Sequence, residues 1–482
     1  MTAVALLPTA AAQGMVLPEG FVAESVVGGL SAPVDLAFAP DGRVFVAEKG
    51  GIVKIIDDGA VNTAPFLDIS AEVNNVGDRG LVGIAVHPRF PELPYVYLSY
   101  VYDPPEVQAL SGDSGPDGQG ARVSRLVRVE ADPATGFSTA LAGTTVVLLG
   151  TNSTFENIGD VQERNTAVPS CGQGGTYVTD CLAADEHSHT IGRVRFGPDG
   201  ALYVGSGDGA DFNRVQPYHL RVQDLDSLAG KLLRLDPLTG EGLADNPFYD
   251  GNPSSNRSKV LSYGLRNPYS YTFHPHTWEP VIGDVGWATW EMVKVGAGLN
   301  FGWPCYEGGN GVLLQQTSFS ELAGCQSIYA GSNGPIAAPL YAYNREGTGG
   351  AIMAGDIYTG ALLPEELRGK LFIADYYAGW IRTVSLDDGD GRSRVEDFAT
   401  VYYPVQALFG PDGQFYYLNV WGGELVRLRY TLAEPAQEGP TVVASVGPLA
   451  GRAPLFVKYD ATGSHDPQGG AVTYLWTFAP GN

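Results

Sequence analysis

LAFAPDGRVFVAE (36–48) decides the fold, because it returns twice, as VRFGPDGALYVGSGD (194–208) and as ALFGPDGQFYYLNV (407–420). In each copy apolar residues alternate up to a Pro-Asp-Gly triplet and alternate again beyond it. Proline presets φ and glycine supplies a positive φ, which makes a tight hairpin between two half-buried strands. Weaker copies stand at GIAVHPRFPELPYVYLSY (83–100), YTFHPHTWEPVIGDVG (271–286) and KLFIADYYAGWIRTV (370–384). About six such units, irregularly spaced, predict an all-β fold, a six-bladed β-propeller. Radial repetition of small antiparallel sheets is one way a protein avoids exposed strand edges. Helical periodicity is scarce, and KLLRLD (231–236) reads as a strand. Long Gly/Ser/Asn-rich loops at 102–120, 151–187 and 308–334 are where a propeller would build its active face.

The 482 residues allow one large domain and a small one. A net charge of −24 repels phosphate backbones and excludes a nucleic-acid partner. No stretch approaches the ~18 apolar residues of a membrane span. The start, 1–17, reads as the remnant of a signal peptide with an A-x-A-like site near Ala10–Ala12, or as a disordered start. Four cysteines fall in two local pairs, Cys171 with Cys181 and Cys305 with Cys325. Their spacing is not that of a zinc site, so two loop-stapling disulfides are the simplest reading. Disulfides and export agree on a secreted or periplasmic location. After a propeller at 18–430, a Pro/Glu linker (431–440) leads to 441–482, which reads as half of a small β-sandwich.

Four segments could carry chemistry. In HSHTIGR (187–193), His189 precedes a strand near a channel mouth, where a histidine can act as a general base. The alternative is a loop histidine bonded to backbone. In SYGLRNPYSY (262–271), Arg266 and Asn267 sit at a strand-to-turn junction, where an arginine fork grips a carboxylate, or else pairs with an acidic loop. GDVGWATWEMVKVGAGLNFGWPCYEG (283–308) places Asp284, Glu291 and three tryptophans together. The carbonyls of Gly286 and Trp287 there could ligate Ca2+, and the tryptophans could stack on a flat cofactor or a sugar. Blade packing is the plainer use of such tryptophans. In NVGDRGLVGIAVHPRF (75–90), Asp78 and Arg79 either face the channel or form a surface pair.

In this order these segments resemble the glucose/sorbosone dehydrogenase family, over roughly 18–430. The resemblance is carried by DRGLVGIAVHPRF (78–90), H-x-x-G-R with FGPDGALYV and GD (189–208), QDLDSLAGKLLRLDP (223–237), GLRNP (264–268), DVGWATWE (284–291) and NFGWP (300–304). It implies a six-bladed propeller that oxidises an aldose at its anomeric carbon to a lactone. The cofactor implied is pyrroloquinoline quinone (PQQ) held with Ca2+, and electrons leave to an external acceptor. His189 matches the family's base. Asp78, Asp208, Arg266 and Asn267 match positions at the cofactor, and Gly286 and Trp287 match the calcium carbonyls. Four positions depart from the family. Asp78 stands for Gln and Ser188 for Asp, and Gly350 stands where a PQQ-binding lysine is expected. Ala378 stands where the resemblance implies an arginine in the following blade, with Arg382 nearby. Arg79, Arg345 and Arg382 are the basic residues available to take over. GGAIMAGDIY and FIADYY are similar to a branch that includes hedgehog-interacting-like propellers, which implies the alternative of a non-catalytic carbohydrate- or protein-binding propeller. DATGSHDPQGG and YLWTF (460–470, 474–478) resemble a PKD domain, an immunoglobulin-like sandwich.

Overall fold

Each Pro-Asp-Gly hairpin closes with the same set of bonds. In the first, the Ala39 N–H donates to the Arg43 carbonyl (2.8 Å) and the Gly42 N–H to the Ala39 carbonyl (3.0 Å). The corresponding pairs are Gly197–Ala201 and Gly200–Gly197 in the second, and Gly410–Gln414 and Gly413–Gly410 in the third, all at 2.9–3.0 Å. The aspartate accepts the N–H two residues on, at Arg43, Ala201 and Gln414. Gly42, Gly200 and Gly413 take φ of +94°, +78° and +73°, a region costly for a residue with a Cβ. In two of the weaker copies a histidine stands just before the proline, and its ring accepts the N–H two residues on. His87 Nδ1 accepts from the Arg89 N–H, and His274 Nδ1 from those of His276 and Thr277. Burial, together with nearby Arg89 and Arg128, lowers the His87 pKa and so favours that acceptor form.

The computed structural model describes residues 14–163, 168–345, 349–386, 395–432, 442, 445–447, 458–461 and 464. Six antiparallel sheets of four or five strands form the blades. Their innermost strands are Pro33–Phe38, Leu81–Val86, Ile191–Phe196, Ser270–Phe273, Ile352–Ile357 and Pro404–Phe409. These neighbour one another in chain order, and the last meets the first. Five blades are built from contiguous chain. The sixth takes Phe21–Val27 as its outer strand, paired with Glu424–Tyr430, so the two ends of the propeller close the ring. In the fifth blade the hairpin read from sequence proves to be the second and third strands, Lys370–Asp375 and Trp380–Ser385. KLLRLD forms the third-blade strand Lys231–Leu235.

Polar ties also join the blades across the axis. Asp35, 1% exposed, accepts from the Ile84 N–H (3.0 Å) and Gln406 Nε2 (2.6 Å) and lies 3.4 Å from Arg193 Nε. That one carboxyl thus touches the second, third and sixth blades. Both cysteine pairs are joined, Cys171 to Cys181 and Cys305 to Cys325.

Lys231 is fully buried, and its Nζ donates to the carbonyls of Val222 (2.8 Å) and Ala229 (2.6 Å). Two donors suit a neutral amine, and burial lowers its pKa to about 7. The unfolded chain then holds the extra proton, so this lysine adds stability as pH rises from about 7 to 10.5. Denaturant titrations of the wild type and Lys231→Met across that window should show the rise in the wild type only. Parallel pH profiles would reject the assignment.

The chain divides into two units, Met1–Arg429 and Tyr430–Asn482. In the second, Ser445–Gly447 and Lys458–Asp460 form an antiparallel pair. The rest of the PKD-like reading, and the signal-peptide remnant up to Gln13, lie outside the described residues.

Candidate active site

One face of the propeller collects two kinds of segment from every blade. These are the stretches leading into the innermost strands and the turns after the second strands. Between them lies a cavity of about 580 Å3 with Lys49, Asp78, His189, Arg266, Asn267, Gly286, Trp287, Arg345, Tyr377 and Trp421 in its walls. His187 and Phe212 line its rim, ring centroids 5.6 Å apart.

His189 is 6% exposed and holds φ at +50°, a left-handed conformation that a non-glycine residue adopts at a cost of about 1–2 kcal/mol. Its carbonyl accepts from the Gly209 N–H (2.8 Å), and any Cβ at Gly207 would fall 2.3 Å from that oxygen. Its Nδ1 lies 3.1 Å from Asp208 Oδ1. Asp208 is fully buried and also accepts from the Ala210 N–H (3.0 Å) and Trp303 Nε1 (2.8 Å). Burial alone would raise its pKa. The charge and hydrogen bond of His189, with the charges of His219 and Arg266, outweigh burial and hold the carboxyl well below the usual range. An ionised Asp208 places the imidazole hydrogen on Nδ1 and leaves the Nε2 lone pair free.

Arg266 is 2% exposed, with its guanidinium 5.5 Å from the ring centroids of both Trp287 and Trp303. Its Nη1 donates to the carbonyls of Val285 (3.0 Å) and Gly286 (2.5 Å), while its Nε is buried with no hydrogen-bond partner among the described residues. Its own carbonyl accepts from the Asp208 N–H (2.7 Å), which ties it to the histidine pair. Asp284 fixes this corner by accepting from the N–H groups of Arg266 and Asn267 and from Lys294 Nζ. The Asn267 carboxamide makes no hydrogen bond among the described residues. Lys49 donates to the Asn75 carbonyl and Oδ1. Burial lowers its pKa to about 8, against the supporting charges of Asp78 and Asp117.

Several expected residues stand elsewhere or serve differently. Asp208 lies behind His189 and is absent from the cavity wall. Arg382 is remote from the cavity. It sits on a third strand, its Nε on Asp397 Oδ1 (2.7 Å) and its guanidinium 4.2 Å from the Trp380 ring centroid. Arg79, fully buried, spends its donors on the Glu186, Ala184 and Gly118 carbonyls and Asn74 Oδ1. The Gly286 carbonyl, expected to hold Ca2+, accepts from Arg266 Nη1 and from Arg345 Nη2 (2.6 Å). The Trp287 carbonyl accepts from Arg345 Nη1 (3.2 Å). Cations already occupy both oxygens, so the residues present do not fit a metal ion there. Among the described residues no cluster of three or more His, Cys, Asp or Glu forms an alternative metal site. Lys49 and Trp421 were missed in the sequence, since each follows an ordinary second strand with no motif of its own.

The residues do fit a flat anion. The cavity has the volume of a small-ligand site. Trp287, Trp421 and Tyr377 supply flat faces. Lys49, the Arg266 guanidinium and the Asn267 amide supply positive charge and donors.

The family model described as Glucose / Sorbosone dehydrogenase matches residues 30–427. The HIPL1 protein of Arabidopsis thaliana is 28% identical over 326 residues, covering 60% of this chain and 43% of that relative, so the chain spans less than half its length. A crystal structure of a putative oxidoreductase (glucose dehydrogenase) from Thermus thermophilus is 26% identical with a TM-score of 0.57, covering 85% of this chain and all of that one. The PQQ-bound aldose sugar dehydrogenase of Streptomyces coelicolor has a TM-score of 0.56 at 20% identity, over 86% of this chain and 98% of its own, and shows a shared fold.

Proposed function

Since the chain belongs to the glucose/sorbosone dehydrogenase family, we propose that its cavity binds PQQ and oxidises an aldose to a lactone. The observation that carries this is the pair of His189 and the buried Asp208 carboxyl, with His189 in the wall of a cavity that also presents Arg266 and Asn267. Bound there, PQQ would supply the two-electron acceptor for the hydride leaving the anomeric carbon. His189 Nε2 takes the proton of the anomeric hydroxyl as that hydride departs. Asp208 keeps the imidazole in the required tautomer and balances the imidazolium that forms. Arg266 and Lys49 attract the cofactor's carboxylates, and the Asn267 amide donates to its oxygens. Asp78 stands in the wall as an anion beside Lys49, which suits it to accepting sugar hydroxyls better than to holding a tricarboxylate. The disulfides agree with export to an oxidising compartment, where electrons pass to a separate acceptor.

The test is dye reduction by the purified protein, with and without added PQQ, across a panel of aldoses. PQQ-dependent turnover is expected. A protein that quenches no fluorescence with PQQ and turns over no aldose would favour the second reading, a non-catalytic carbohydrate- or protein-binding propeller. That reading draws on Gly350, which lacks the side chain expected of a PQQ-binding lysine.

A further inference from the structure

Arg345 follows the fourth blade's outer strand, Tyr341–Asn344, and reaches into the cavity wall. Its backbone is pinned by the Thr289 carbonyl (2.9 Å). Its guanidinium is held from behind by Glu291, a fully buried carboxyl that takes Arg345 Nε at 2.6 Å on one oxygen and the Ile352 N–H at 3.0 Å on the other. From in front, the same guanidinium spans the carbonyls of Gly286 and Trp287. Those are two oxygens that a hard cation would otherwise take. The other side of Arg345 meets Gly350. A Cβ placed there would come within 3.0 Å of Arg345 Cγ and Nε. A side chain at 350 would press on the arginine in its present place and require it to give by a few tenths of an ångström.

We propose that Arg345, anchored by Glu291, stands in place of both a metal ion at the Gly286 and Trp287 carbonyls and a basic side chain at position 350, and makes the anion site independent of metal. The idea rests on the cofactor reading above. The planar fork suits the task, because one side of it pairs with Glu291 while its outer N–H groups bond both carbonyls, which sets its positive charge in the cavity wall. It also carries less charge than a divalent ion.

The deciding measurement is PQQ titration of the purified protein, followed by tryptophan fluorescence, once in EGTA and once in excess CaCl2. The two affinities should agree within about twofold, and binding roughly tenfold tighter with CaCl2 would overturn the proposal. Arg345→Ala should weaken binding in EGTA by roughly tenfold, with part of the loss restored by CaCl2; unchanged affinity in that variant also overturns it. Should PQQ bind neither form, the cofactor reading fails while the role of Arg345 stays testable with TbCl3. Terbium emission sensitised by tryptophan should then appear in Arg345→Ala, where the Trp287 carbonyl and one Glu291 oxygen are freed and the Gly286 carbonyl keeps Arg266 as its one donor. Such emission from the wild type, abolished by Trp287→Phe, would sink the proposal. The wild-type measurements do not depend on whether the alanine variant folds.

Discussion

Replacing His189 by asparagine should lower kcat on any accepted aldose by roughly 10²–10⁴-fold and leave PQQ affinity within a few-fold of wild type. Asparagine is the informative substitution because residue 189 holds φ at +50°, and asparagine tolerates that region better than alanine does. The variant removes the basic nitrogen while keeping the backbone turn that brings Gly207 and Gly209 against it. Stopped-flow reduction of bound PQQ measures the loss directly. An asparagine variant that reduces PQQ at the wild-type rate would show that the proton goes elsewhere.

Asp208→Asn carries the second large effect, and it acts through the histidine. The carboxylate accepts from three donors, His189 Nδ1, the Ala210 N–H and Trp303 Nε1. A carboxamide has one oxygen and one NH2, so at least one of these donors faces another donor. We expect a kcat loss of about 10²–10⁴-fold, as when a histidine base loses the carboxylate that sets its tautomer. A stability loss of about 1–3 kcal/mol from the unpaired buried donor should accompany it. A merely structural role would give the second effect without the first. The 15N signature of the imidazole separates them, by showing whether the hydrogen has moved from Nδ1 to Nε2. An unchanged tautomer with unchanged kcat would reject the positioning role.

Much of the fold was legible because its punctuation is local. Proline, aspartate and glycine make a hairpin from bonds within four residues, and the same bonds recur in three blades. Blade five was harder to read, since its first strand, Ile352–Ile357, lies in a glycine-rich run with no such turn. At the site, His189, Arg266 and Asn267 announced themselves by motif. Arg382 did not belong with them, because alternation along a strand cannot say whether a side chain meets the channel or an outer neighbour such as Asp397. The calcium reading of Gly286 and Trp287 was weaker still. Backbone carbonyls leave no mark in a sequence, and what occupies them depends on Arg345, some 60 residues along the chain.

Closure of the ring by Phe21–Val27 sets an order on events at the ribosome. The strand is made among the first and paired among the last, since its partner, Glu424–Tyr430, emerges about 400 residues later. At ~5–20 residues per second that is a wait of roughly 20–80 s. Throughout it Val22 and its neighbours are a strand edge with nothing beside it, and the sixth blade is short by one strand. A chain threaded across a membrane before it folds would never face that wait on the cytosolic side.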